Sequence, residues 1–163
     1  MRELDVLGVR VEMPTNNPIV LLRERGGERY LPIWVGAPEA TAIAYAQQGV
    51  EPPRPLTHDL MKNVLDALGH QLTEVRIVSL TNNIFFASLV VDGKVEISAR
   101  SSDAIALALR TGSRILVEDS LLDEAGVAIA PDEEEQDDEV ERFKEFLDHV
   151  SPEDFEQGGG SPA

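Results

Sequence analysis

Three short turn signals constrain this chain more than any other feature. Gly26-Gly27, Asn82-Asn83 and Asp92-Gly93 each stand between two runs rich in β-branched, aromatic and aliphatic residues. Turns this short join strands that lie side by side and antiparallel. The flanking runs are Ile19 to Arg25 and Arg29 to Val35, then Leu72 to Leu80, Ile84 to Val91, and Val95 to Ala99. An earlier run, Leu4 to Met13, alternates as a strand with an irregularity expected at Gly8, and Ile115 to Glu118 reads as a last strand. Hairpins dominate and βαβ alternation is absent, which excludes a doubly wound parallel sheet.

Helices fall between these strands. Pro38 suits a first helical turn, Glu39 to Gln48 is Ala-rich, and Gly49 closes it. Pro52, Pro53 and Pro55 make residues 50–56 stiff and extended. Thr57 is then the expected N-cap of a helix from His58 to Leu68, with Leu60, Val64, Leu65 and Leu68 on its apolar face. Ser101 or Ser102 is the expected cap of a helix from Asp103 to Thr111, apolar on nearly every side and therefore buried. Ser120 to Ala125 reads as a short helix. The expected order is β-β-β-α-α-β-β-β-α-β-α. The fold class is α+β: a mixed, largely antiparallel sheet with helices packed on it.

Charge divides the chain of 163 residues, whose formal net charge is −16. Residues 131–163 hold 13 acids and 2 bases, whereas residues 1–130 hold 17 acids and 12 bases. The expected organisation is a domain over 1–130, then an acidic linker, a short amphipathic helix (Val140, Phe143, Phe146, Leu147, Val150) and a loose terminus over 131–163. There is no cysteine, which removes thiolate zinc sites and Cys nucleophiles. No run is long and apolar enough to span a bilayer, and no signal pattern opens the chain, so a cytoplasmic location without membrane contact is expected.

No phosphate loop, G-x-S-x-G or HExxH string is present. His58, His70 and His149 lack metal-ligand spacing. Three helix starts carry the polar chemistry instead. The first holds Glu39; the second holds Arg54, Thr57, His58 and Asp59; the third holds Arg100, Ser102 and Asp103. Thr57 and Ser102 are most simply caps, and Asp59 and Asp103 most simply dipole partners. If the starts converge, they supply two arginines, a histidine and three carboxylates around an anion.

These same residues carry a resemblance. Leu31-Pro32-Ile33-Trp34-Val35-Gly36, Glu39-Ala40-x-Ala42-Ile43, Pro53-Arg54-Pro55-x-Thr57-His58-Asp59-Leu60 and Ala99-Arg100-x-Ser102-Asp103-Ala104-Ile105-Ala106-Leu107-Ala108 occur in one order. The chain resembles the bifunctional nuclease family over roughly residues 3–125. It departs from that family's usual pattern at Ser98, where Asp is usual, and at Ser101, where Pro is usual. The resemblance implies hydrolysis of phosphodiester bonds in RNA and DNA with little sequence specificity. In that reading His58, Asp59, Glu39 and Asp103 are the catalytic candidates. Arg54, Arg100, Thr57 and Ser102 hold phosphate. Glu39, Asp59 and Asp103 are candidate ligands for a Mg²⁺ ion.

The alternative is a non-enzymatic regulatory module that binds a phosphorylated ligand or a basic protein partner. Nucleic-acid affinity rests largely on Lys and Arg. The domain has few, and aromatic residues are 5% of the chain, too few for an extended stacking platform. Binding to RNA or DNA is therefore expected to be weak and salt-sensitive, and to rise when residues 131–163 are removed. A homo-oligomer is expected, a dimer first, with the Ile33-Trp34-Val35 and Ile84-Phe85-Phe86 runs serving as core or interface.

Overall fold

The computed structural model describes residues 1–12 and 15–128. The expected acidic linker and amphipathic helix, and the Met13-Pro14 turn, lie outside the described residues. Eleven elements occur in the expected order: β1 (Arg2–Glu12), β2 (Asn17–Glu24), β3 (Tyr30–Trp34), α1 (Ala37–Gln48), α2 (Thr57–Ala67), β4 (Leu72–Thr81), β5 (Ile84–Val91), β6 (Val95–Arg100), α3 (Ser101–Thr111), β7 (Arg114–Val117) and α4 (Asp119–Ala125).

The strands form one seven-stranded sheet in the order β3-β2-β1-β7-β4-β5-β6. Every pairing is antiparallel except β4 with β7. The turns behave as their residues dictate. Asn82 and Asn83 both have positive φ, as do Asp92 and Gly93, which is the backbone of a type I′ hairpin turn. The irregularity expected in β1 is a register shift between Val6 and Gly8. β7, four residues long, enters the sheet centre and joins the two hairpin lobes.

Helices α1 and α3 pack against each other, α1 over β1 and β2, α3 mainly over β4 and β5. Five consecutive residues of α3, Ala104 to Ala108, are buried, as an all-round apolar helix requires. With Leu22, Leu31, Ile33, Ile43 and Ile77 they form the core. Burying each such large side chain contributes about 1.5–3 kcal/mol. Helix α2 differs: no residue of it is buried, and Leu60, Met61 and Val64, with Leu68 at its C-cap, are exposed. Only Leu65 of its apolar face packs partly on the core.

Although β3 and β6 are the two edge strands, the end of β3 and the start of α1 lie beside the end of β6 and the start of α3: Arg100 bonds Glu39, and Trp34 and Arg100 line one cavity. Two sheet edges that are remote in strand order meet at this place, and the candidate site lies there.

Candidate active site

Helix α1 begins after Gly36, against which the Glu39 carboxylate is folded. A Cβ there would lie 2.5 Å from Glu39 Oε2. The carboxylate thus folds back over the first turn, where the helix dipole favours it. On the facing element, β6 runs into α3 without a loop. Arg100 still pairs with Phe86 in the sheet and is at once the N-cap of α3.

The Arg100 guanidinium sits between two carboxylates. Its Nη2 donates to Glu39 Oε1 at 2.6 Å and its Nε donates to Asp103 Oδ2 at 2.9 Å. Both partners, Glu39 first, hold the guanidinium pKa above its already high ordinary value. The Nη1 group has no partner among the described residues, and the side chain is 66% exposed. His58, from the first turn of α2, lies 2.8 Å from Asp103 through Nε2 and is only 11% exposed. Asp103 already accepts from Arg100, so His58 Nε2 carries the proton and Nδ1 is the free ring nitrogen. Glu39, Arg100, Asp103 and His58 therefore form one continuous chain of hydrogen bonds, contributed by the starts of α1, α2 and α3.

The other expected residues are placed differently. Asp59 Oδ2 accepts from the Leu56 N–H at 3.1 Å, and its Oδ1 accepts from Arg110 Nε at 2.7 Å. It ties α2 to the far end of α3. It also lines a separate cleft of about 520 Å³ between the proline segment and α2. Arg54 is exposed, with no hydrogen bond or ion pair among the described residues.

The expected caps are corrected. Thr57 is the first residue of α2, not its N-cap; Leu56 holds that place, because Asp59 reaches back to its N–H. Ser101 and Ser102 are the first two residues of α3, drawn inside by the direct strand-to-helix passage, and no side chain caps that helix. Both serines are more than nine-tenths buried. They line a cavity of about 370 Å³ with Arg100, Trp34, Ile84 and Phe85.

Among the described residues no three His, Asp or Glu side chains gather as metal ligands. A Mg²⁺ ion held by Glu39 and Asp103 would have to displace Arg100, and Asp59 is engaged elsewhere. The residues do not fit a dedicated metal centre, so no step is routed through one.

Sequence reading missed Arg110, and it gave Ser101 only as a cap and Trp34 only as core or interface. Arg110 carried a usable signal: a lone cation near the end of an otherwise apolar, buried helix needs a partner. Ile33 is buried in the core as one expectation had it, whereas Trp34, Ile84 and Phe86 are exposed.

The bifunctional nuclease domain profile matches residues 20–130. A protein of Mycobacterium tuberculosis (strain H37Rv), named uncharacterized protein Rv1829, is 56% identical over 162 residues, covering 95% of this chain and 98% of that protein. Bifunctional nuclease 1 of Oryza sativa subsp. japonica is 26% identical over 111 residues, covering 64% of this chain and 33% of the rice protein. The chain belongs to the bifunctional nuclease domain family. No helix among the described residues is long and apolar enough to cross a membrane.

Proposed function

We propose that this chain hydrolyses phosphodiester bonds in RNA and DNA, with little sequence specificity, at the Glu39–Arg100–Asp103–His58 cluster. The observation that carries the reading is the pairing of a carboxylate-oriented histidine with a guanidinium whose Nη1 edge is free at an uncapped helix start. Arg100 Nη1 and the first N–H groups of α3 take the non-bridging phosphate oxygens and stabilise the charge that grows on them. Asp103 fixes the imidazole. His58 Nδ1 takes a proton from water as the water oxygen bonds to phosphorus and the bond to the leaving oxygen breaks; solvent water protonates that oxygen, and the imidazolium then returns its proton to the hydroxide so formed.

Cleavage of labelled RNA and single-stranded DNA by the full chain, freed of contaminating nuclease, tests this. His58→Ala and Arg100→Ala should each cut the rate by about 100-fold or more. Equal rates in wild type and both variants would sink the assignment. EDTA is expected to leave the rate unchanged, and its abolition of activity would bring back a Mg²⁺ role.

The cluster's own charge favours a second reading. Two carboxylates around one guanidinium leave it net negative, which suits a binding module for a phosphorylated ligand as well as an enzyme. Saturable phosphate binding without turnover would select that reading. A cytoplasmic homodimer belongs to the same proposal, with Leu60, Met61 and Val64 of α2 and Leu68 at its C-cap as apolar surface for the second copy. Sedimentation of the Leu68→Glu variant, against wild type, tests the dimer.

A further inference from the structure

We infer that the cavity between Trp34 and the start of α3 is a subsite for one unpaired nucleotide. Its phosphate lies on Arg100, Ser101 and Ser102, and its base lies against Trp34. The ligand class rests on the phosphodiesterase reading above; the cavity itself does not.

Two kinds of wall meet in this cavity. One wall receives anions. It is the N-terminus of α3, with no side-chain cap, so its first N–H groups have no intrahelical acceptor. Ser101 and Ser102 line the cavity there, each more than nine-tenths buried, and neither hydroxyl has a hydrogen-bond partner among the described residues. Each hydroxyl oxygen keeps contact with solvent although its residue is nearly enclosed, so both stay open to a bound acceptor. Glu39 and Asp103 hold the Nε and Nη2 edge of Arg100, which leaves Nη1 for the same acceptor.

The other wall is apolar. Trp34 is 54% exposed at the end of β3, and Ile84 is exposed at the start of β5, with Phe85 beside it. An exposed indole next to an anion site matches a flat ring joined to a phosphate. A sugar phosphate would use only half of the site. At about 370 Å³ the cavity is near the lower end of small-ligand sites, a size that suits a single nucleotide better than a base pair. Nucleic acid must therefore present an unstacked base, and single strands or ends are preferred over duplex.

The chain has one tryptophan, so its fluorescence reports on this cavity alone. The full chain is titrated with adenosine monophosphate, ribose 5-phosphate and inorganic phosphate, with affinities measured by calorimetry in parallel. Adenosine monophosphate should quench Trp34 saturably. Inorganic phosphate should compete without quenching, and ribose 5-phosphate should bind at least about 10-fold more weakly than the nucleotide.

Trp34→Ala should weaken the nucleotide by about 10-fold or more and leave inorganic phosphate unchanged. The Ser101→Ala/Ser102→Ala double variant should weaken both. Trp34→Leu and a circular-dichroism spectrum control for folding. Nucleotide affinity unchanged in a folded Trp34→Ala or Trp34→Leu protein, or no nucleotide binding to wild type, overturns the subsite. The nuclease reading fails separately: quenching and binding with no cleavage leaves the subsite standing. Cleavage with equal rates on single strand and duplex, and no dependence on Trp34, leaves the nuclease and removes the subsite.

Discussion

Two arginines at opposite ends of α3 pair with aspartates in the first turns of helices, and the two pairs have opposite characters. Arg110 lies in the last turn of α3, where the helix dipole favours a cation, and Asp59 lies in the first turn of α2, where it favours an anion. Their contact follows the field of both helices, and Arg110 is 8% exposed. Arg100 stands at the opposite end of α3, where the dipole disfavours a cation. It stays because Glu39 and Asp103 hold it, and it remains open to solvent. The first pair is a structural weld. The second keeps a cation where an anion should sit, as the proposed anion site requires.

Mutations can break this contrast. Arg100→Ala should lower cleavage by about 100-fold or more while costing under about 1 kcal/mol of stability, as expected for an exposed pair. Rates on RNA set beside urea midpoints measure both. Arg110→Ala should do the reverse. Removing one partner of a buried pair costs about 3 kcal/mol, with activity per folded molecule kept. A midpoint unchanged by Arg110→Ala would abolish the distinction.

A third pair sharpens it. Glu24 is buried and accepts from Arg29 Nε at 3.1 Å, and that bond chiefly holds its pKa below the ordinary glutamate value. A lowered carboxyl pKa contributes stability above the unfolded-state value, near 4.3, and loses it as pH falls through the lowered one. Glu24→Gln should therefore be about 1–2 kcal/mol less stable than wild type at pH 7 and should converge on it in acid below about pH 4. Unfolding curves across that range check the sign. The smallest effect is expected at Leu68, exposed on α2. Leu68→Gln should change monomer stability by less than about 0.5 kcal/mol.

Strand order along the chain was legible because its signals are local. Asn82-Asn83 and Asp92-Gly93 announce their turns by residue type alone. The place of β7 between β1 and β4 was not legible, since a parallel neighbour reached through α3 leaves no mark at the turn. At the site, the sequence puts Asp59 and Asp103 at equivalent positions of equivalent helices. What separates them is the residue opposite, Arg110 for one, and Arg100 with His58 for the other. That is a fact of packing. The caps were misread for a related reason: Asp59 reaches back past Thr57, and the sheet delivers Arg100 to α3 before either serine can cap it.

The direct passage from β6 to α3 has a further consequence. Arg100 is the last rung opposite Phe86, and the helix begins with the next residue. The chain has no slack at this point. One residue added between Asp92 and Arg100, or a slip of β6 by one place, would turn the guanidinium to the opposite face of the sheet. The length of this hairpin arm is thus as much a part of the proposed site as the side chain at its end. Insertions tolerated at the β4–β5 tip should be rejected here.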